Sequence, residues 1–467
     1  MESVLLDIKS IVSSGRWDYD YNQVKYVNFD NQLQALKTKP LQNLCKQSIT
    51  KGETPLWKGD KYVAETEGIL FIRSENIREY GLDLSSKTFI PFDVHERMQR
   101  SQIQSGDVLL AIVGATIGQV AVVPCEVSQA NCNQAVAIIR PKEGVNPYYI
   151  RAILQSNLGQ TQIHRLSGGT ARPNLDLWET RILQIPVPPR SLQDKIAQVM
   201  QEAYRDRQKK LEQAEGLLKG IDEFVFKILN LSPESVAEET KFLKPISIIQ
   251  GGRFDVEFNM GFHKFDPYMD KVLPVKSVAT FPKETEDPTT APEISFNYID
   301  IASIDIELGE VREVSEVLGA NAPSRARQVV HPGDIIISTV RPTRGATALI
   351  PESMDGFICS TGFSIVHPNG KVTSEYLHTA LRLHTTLEQF GRRSAGSSYP
   401  AILDRDVKET LIPVPDRDIQ NEISAEVRRR RSEAKRLRTE AEAVVAAAKA
   451  RVERMILGEE VIDAAKQ

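Results

Sequence analysis

Cysteine is scarce in this chain. None of its four cysteines, Cys45, Cys125, Cys132 and Cys359, forms a Cys-x-x-Cys pair, which argues against a disulfide framework or a zinc site. No apolar run approaches the roughly 18 residues needed to span a bilayer. The start, MESVLLDIKSIVSS, lacks the basic lead and long apolar stretch of a secretory signal, so a cytoplasmic protein is expected. An excess of one charge is missing as well. The 58 basic residues stand against 62 acidic ones, so any DNA-binding surface must be local or assisted by a partner. With 41% hydrophobic and 26% charged residues, the chain is otherwise an ordinary globular one.

Catalytic patterns are absent too. The seven histidines are scattered and make no His-x-x-x-His pair. VGATIGQ (113–119) lacks the Gly-Lys-Ser/Thr ending of a phosphate loop and reads as a tight turn between strands, with Gly118 serving the turn. NPYY (146–149) superficially resembles the Asn-Pro-Pro-Tyr/Phe motif of adenine-N6 methyltransferases, but Tyr148 replaces the second proline. A proline in the first turn of a helix explains it better. No carboxylate–lysine cluster of the nuclease kind appears, and neither metal nor cofactor is expected in this chain.

What is present is a duplication. GDVLLAIVGATIGQVAVVP (106–124) returns as GDIIISTVRPTRGATALIP (333–351), an offset of 333 − 106 = 227. At that offset Cys132 falls on Cys359, Tyr149 on Tyr376, Arg165 on Arg392, Pro173 on Pro400, and IPVP (185–188) on IPVP (412–415). FIRSENI (71–77) falls on YIDIASI (298–304). RWDYDYN (16–22) resembles RFDVEFN (253–259) at an offset of 237, so the first copy carries a net ten extra residues between these landmarks. Each globular copy spans about 170–180 residues, enough to bury its own core.

Short β-branched runs such as DVLLAIV, QVAVVP and AVAIIRP, punctuated by turn residues, predict strands. Cys132 and Cys359 lie in such runs and read as small buried hydrophobes. A helix is expected over 147–161 and again over 374–390. The fold class is mixed α/β with a curved, mainly antiparallel sheet in each copy. After each IPVP the pattern changes. Residues 191–229 and 417–456 carry apolar positions three and four apart, among them Ile196, Val199, Ala203, Ala214, Ile221 and Val225, then Ile423, Val427, Ala434, Leu437, Ala448 and Val452. Both predict long amphipathic helices of about 60 Å at 1.5 Å per residue. Paired antiparallel as a coiled coil, they would give each other's apolar stripes a partner and hold two similar heads apart.

The binding signals lie in loops. RLSGGTARPNL (165–175) and RRSAGSSYPAI (392–402) combine arginine, small residues and hydroxyls suited to phosphates or base edges. They nominate Arg165, Thr170, Arg172 and Asn174 in the first copy, and Arg393, Ser397, Ser398 and Tyr399 in the second. The turns ATIGQ and RPTRGA add Thr116, Arg341, Thr343 and Arg344; the strand ends RSENI and DIASI add Arg73, Ser74, Asn76, Asp300 and Ser303. The copies keep one apolar frame while their loop polar residues differ, the pattern of two heads that read two different half-sites. The basic runs Arg205/Arg207/Lys209/Lys210 and Arg428–Arg431 read as solvated helix faces.

The whole organisation resembles the specificity subunit of type I restriction–modification systems. The likeness rests on the paired motifs above, above all SGGTARPNLDLWETRILQIPVPPRSLQDKIA and its partner: a small-residue loop, IPVP, then a long helix. Ala395 and Ala401 replace Gly168 and Asn174 in the second copy, so a shared role for Asn174 is not implied. The resemblance implies two target-recognition domains, over 1–189 and 246–415. Spacer helices would follow over 190–230 and 416–458, with a linker at 231–245 and a tail at 459–467. It implies a non-catalytic subunit that binds a bipartite double-stranded DNA target, one half-site per domain, with the helices setting the gap. Two methyltransferase subunits using S-adenosylmethionine would dock on it, with restriction or translocase subunits where present, in DNA methylation and phage defence. Two other classes compete. A duplicated coiled-coil adaptor would bind proteins and show no sequence-selective DNA binding; a fused enzyme would show activity as an isolated chain.

Overall fold

In the computed structural model, residues 24–55, 59, 61–168, 173–231, 271–396 and 398–460 are described. The motifs at 16–22 and 253–259 lie outside them, as do Thr170, Arg172, Ser397 and most of the linker. Two compact units emerge, one from 1–209 with 440–467, the other from 210–439.

The first unit contains two four-stranded sheets. One runs Phe89–Pro91, Gly68–Ile72, Ala130–Cys132, Gln102–Ile103; the other Thr50–Lys51, Val136–Ile139, Val108–Ala111, Val120–Val122. All neighbours are antiparallel except Gly68–Ile72 with Ala130–Cys132. The second sheet is built from unbroken apolar runs because both of its faces are covered. Val108, Leu110, Ala137 and Ile139 join the core beneath the helices, while Leu109, Ala111, Val136 and Ile138 join a second core on the opposite face. The twofold alternation of a strand thus divides one sequence run between two cores. The second unit repeats this plan. Ile335 and Ile337 face one core and Ile336 the other, and the single parallel pair is Ser295–Ile299 with Phe357–Ser360. Cys132 and Cys359 are fully buried.

Several repeat landmarks turn out to be partners. The Tyr149 hydroxyl donates to the Pro186 carbonyl at 2.8 Å, and the Tyr376 hydroxyl donates to that of Pro413 at 2.8 Å. The aspartate of each Gly-Asp turn is buried and caps its own turn, Asp107 accepting from the Gln104 amide at 2.9 Å and Asp334 from the His331 amide at 2.8 Å. Its second role differs between copies, since Asp107 pairs with Arg140 and Asp334 with His367. Asn146 caps a helix whose first residue is Pro147, and Gly118 and Gly345 take the positive φ their turns require, +84° and +72°.

One expectation needs correction. The helix predicted over 147–161 is two helices, Pro147–Gln155 and Asn157–Leu166, broken at Ser156, where the backbone becomes extended. Gly159 permits the corner: a Cβ there would sit 2.3 Å from the Ile153 carbonyl oxygen. In the second unit Ser374–Arg382 and His384–Arg393 break at Leu383. Apolar spacing continues across both corners, so periodicity alone cannot see them.

The long helices span Arg190–Ile228 and Arg417–Leu457, and they pair antiparallel as a coiled coil. In the first unit Ile196, Val199, Met200 and Ala203 share a core with Ala448, Val452 and Met455, and Arg207 pairs with Glu442 at 3.0 Å. In the second unit Ile221 and Val225 share a core with Ile423 and Val427. There Ala214 packs with Ala434 and Leu437, and Arg430 donates to the Gly220 carbonyl at 2.5 Å. Among the described residues no helix is long and apolar enough to cross a membrane.

Candidate nucleic-acid interface

In each unit the turn between the central strands and the loop after the helix pair are clipped together by matching backbone bonds. The Gly114 amide donates to the Pro173 carbonyl at 3.1 Å and the Leu175 amide to that of Ile112 at 2.9 Å. At the equivalent positions Arg341 donates to Pro400 at 2.7 Å and Ile402 to Thr339 at 2.9 Å. Short bridges, Val113 with Asn174 and Val340 with Ala401, complete the clip. Residues nominated from separate stretches of sequence therefore share one edge: Thr116 with Asn174 in the first unit, and Arg341, Thr343 and Arg344 with Ser398 and Tyr399 in the second.

In the second unit this edge borders an open groove of about 740 Å³ whose lining includes Arg312, Arg341, Arg344, Tyr399 and Arg438. Asp305 and Glu307 also line it, and both engage Arg438. Among the described residues Arg312, Arg341 and Arg344 form no ion pair, so the groove keeps three unneutralised guanidinium groups. The Arg341 guanidinium lies 4.8 Å over the Tyr399 ring and donates to the Ser398 carbonyl at 3.3 Å. Thr343, Arg344 and Ser398 are exposed. Cations on an open rim with a stacked aromatic ring are the equipment for phosphate and base-edge contacts.

A family model described as Type I restriction modification DNA specificity domain matches residues 37–215. The HindI specificity subunit of Haemophilus influenzae is 28% identical over 114 residues, 24% of this chain and 24% of that protein. The EcoBI specificity subunit of Escherichia coli is 29% identical over 143 residues, 30% of each. These matches span less than a third of either relative's own length. A solved chain of a type I R-M system aligns over 91% of this chain and 98% of its own, at 17% identity and a TM-score of 0.50; that likeness concerns the fold. Residues 37–215 are thus similar to a type I specificity domain.

Four nominated residues are structural instead. Asn76 is buried; its side chain accepts from the Arg73 amide at 2.9 Å and donates to the carbonyls of Asp83 and Ser86. Ser303, its repeat equivalent, is buried and bonded to Asp300 in the same kind of turn. A buried side chain whose bonds go to its own backbone turn cannot reach DNA. Arg165 pairs with Asp30 at 2.6 Å and stacks on Tyr26, tying the helix Val24–Ala35 to the domain. Arg393 is buried and donates to the Glu409 carbonyl at 3.1 Å. Arg73 pairs with Glu75 and Ser74 lies in the same turn. Asn174 is exposed and donates to Asp176 at 3.0 Å.

Two groove residues escaped the sequence reading. Arg312 follows a two-residue strand pairing with no motif of its own, and Arg438 looks like any solvated helix cation until Glu307 and Asp305 are brought beside it. Trp178, 68% exposed two residues beyond Asp176, is a further aromatic at the equivalent edge of the first unit. The basic runs on the helices also need revision: Arg207 stacks on Tyr80, Arg430 stacks on Phe224, and Arg431 is largely buried beside His378, at 3.0 Å. Arg205, Lys209, Arg428 and Arg429 in the same runs are exposed, as expected of a solvated face.

Proposed function

We propose that this chain is the non-catalytic DNA-recognition subunit of a cytoplasmic type I restriction–modification complex. Each unit binds one half-site of a bipartite double-stranded target, and the paired helices set the unspecified gap between the half-sites. Two methyltransferase subunits, which would bring S-adenosylmethionine, dock on it and modify adenine in each half-site; restriction or translocase subunits join where the system has them. The observation that carries this reading is the clipped turn and loop, present in both units with one backbone and different side chains. Gly114, Ile117 and Asn174 stand where the second unit has Arg341, Arg344 and Ala401. A shared frame with changed edge residues suits two readers of different short sequences.

The test is a genome-wide map of N6-methyladenine in source cells with and without this gene. A split motif that disappears on deletion is expected and yields both half-sites and their spacing. Purified chain that shows no sequence-selective DNA binding alongside its methyltransferase partners would sink the reading and favour an adaptor. Lengthening both helices by matched insertions should change the gap while leaving the half-site sequences as they were; altered half-sites with an unaltered gap would remove the helices' role as a ruler.

A further inference from the structure

Among the described residues only two non-glycine positions have positive φ, Asn230 and Arg341. Asparagine tolerates that region because its short side chain bonds locally. Arginine has no such excuse. Arg341 sits at φ 49°, ψ 51° at the start of the turn Pro342–Arg344. Its repeat equivalent is Gly114, at φ +78°, in the turn of the first unit. A positive φ is thus taken at equivalent positions once by the residue that adopts it without strain and once by a long β-carbon-bearing cation. The first unit's glycine is not there to make room, because a Cβ added at Gly114 would meet no atom within 4 Å. Strain held at an open rim points to a use for the side chain.

The side chain is also held in place. Tyr399 lies beneath the guanidinium plane at 4.8 Å and is itself 70% exposed, and the bond to the Ser398 carbonyl engages one terminal nitrogen, Nη2. The main-chain amide is clipped to Pro400. A stacked guanidinium loses less freedom when it makes directional bonds than a mobile one does. Among the described residues, Arg312 and Arg344 line the same groove without such a support. A flexible cation suffices for a phosphate; a fixed planar fork suits the paired acceptors O6 and N7 of guanine in the major groove.

We infer that Arg341, supported by Tyr399, is the specificity-determining residue of the second unit and reads a guanine in its half-site. This rests on the DNA-recognition reading above. Tyr399 is a positioning residue, acting through Arg341.

The experiment uses the full chain assembled with its methyltransferase subunits, and selection from a randomised DNA library followed by sequencing. The wild-type complex should select a split motif; if it selects none, the recognition reading fails and Arg341 is not at issue. With Arg341→Gly, the expected result is loss of preference at one G·C pair of one half-site, about ten- to hundredfold, with the other half-site and the gap intact. Arg341→Lys should lose the same preference while keeping the salt dependence of binding, since charge survives and the fork does not. Tyr399→Ala should weaken that preference partially, and Tyr399→Phe should restore it. Glycine is already the residue at the equivalent turn, so a melting curve should show the Arg341→Gly chain folded. Uniform weakening on all sequences would make Arg341 a phosphate contact and overturn the inference, as would an unchanged motif.

Discussion

The two units solve one structural problem with opposite assignments of the same chemistry. Where the first half of each long helix meets its domain, the first unit places a cation on the domain and an aromatic on the helix. The Arg151 guanidinium lies 4.5 Å over the Tyr204 ring and donates to the Glu79 carbonyl at 2.7 Å. Gln155 donates to the same carbonyl and accepts from the Tyr204 hydroxyl. In the second unit the equivalents of Arg151, Gln155 and Tyr204 are His378, Arg382 and Arg431, each at the offset of 227. Arg431 on the helix now faces the His378 ring on the domain, and Arg382 donates to the Ile306 carbonyl, the counterpart of Glu79. Because arginine can only donate, His378 accepts at Nδ1 and keeps its proton on Nε2, facing the Thr347 carbonyl. Both units place a buried polar node against the helix, and in both a domain arginine donates to this backbone carbonyl. In the second unit the helix supplies a further cation, Arg431, against the His378 ring, and the copies have diverged at all three positions.

Breaking the node should produce the largest effect. Tyr204→Arg places a second buried guanidinium against Arg151, with only the half-exposed Glu79 carboxylate nearby and that one already paired with Lys449, and should destabilise the first unit by about 3–5 kcal/mol. Adding Arg151→His and Gln155→Arg installs the second unit's complete set and should recover a large part of that loss. Urea unfolding of single and combined variants, read by hydrogen exchange in each unit, measures the coupling; strictly additive losses would show that the residues do not act as a set.

The exchange of arginine for histidine also gives the units different responses to acid. Burial, reinforced by Arg431 and then Arg382, holds the His378 imidazole well below the usual histidine range. The unfolded chain therefore binds a proton at this residue before the folded one does. Stability from this group is complete above the unfolded value of about 6.5 and falls as pH drops below it, by about 1.4 kcal/mol per pH unit until the folded value is reached. Arg151, its equivalent, stays charged throughout and contributes no such slope. His331 in the same unit acts in the opposite sense. Asp355 and then Glu284 raise it, so its smaller contribution from an exposed site is present below about 6.5 and lost as pH rises through the folded value. Hydrogen exchange between pH 7 and 5 should show the second unit weakening on acidification, and His378→Gln should flatten that dependence. An unchanged slope in the variant would place the sensitivity elsewhere.

The duplication, the strand runs and the long helices were legible because each is written in local periodicity or in the comparison of one copy with the other. The division of Val108–Ala111 between two cores is implicit in its unbroken apolar run. What stayed hidden is non-local or conformational. Asn76 and Ser303 looked like reading residues because a polar side chain near a strand end carries no mark of whether it faces solvent or its own turn. Arg165 looked available until the helix Val24–Ala35 brought Asp30 against it. The swapped node joins residues 53 apart in each copy, positions 151 with 204 and 378 with 431, and nothing local couples them. Arg341 was nominated for its charge, whereas its informative property, a left-handed backbone where its twin is glycine, becomes visible only with the fold.

That last pair gives the smallest predicted effects and the sharpest asymmetry. Arg341→Gly relieves left-handed strain of about 1–2 kcal/mol. It also adds about 0.5–1 kcal/mol of unfolded-chain entropy and removes a partly exposed cation–π contact of about 0.5–1 kcal/mol. The net change should be near zero, within about 1 kcal/mol. Gly114→Arg has an arginine, Arg172, in sequence where the second unit has Tyr399, and should destabilise the first unit by up to about 1–2 kcal/mol, even though its Cβ would have open space around it. Denaturant midpoints of the two variants, measured side by side, decide the matter. Equal losses would mean that Arg341 is held in its conformation by packing that glycine cannot replace, and that its strain is no sign of a role at the rim. A loss confined to Gly114→Arg would mean that the second unit carries an unfavourable backbone which its fold does not need, leaving recognition as the reason for keeping it.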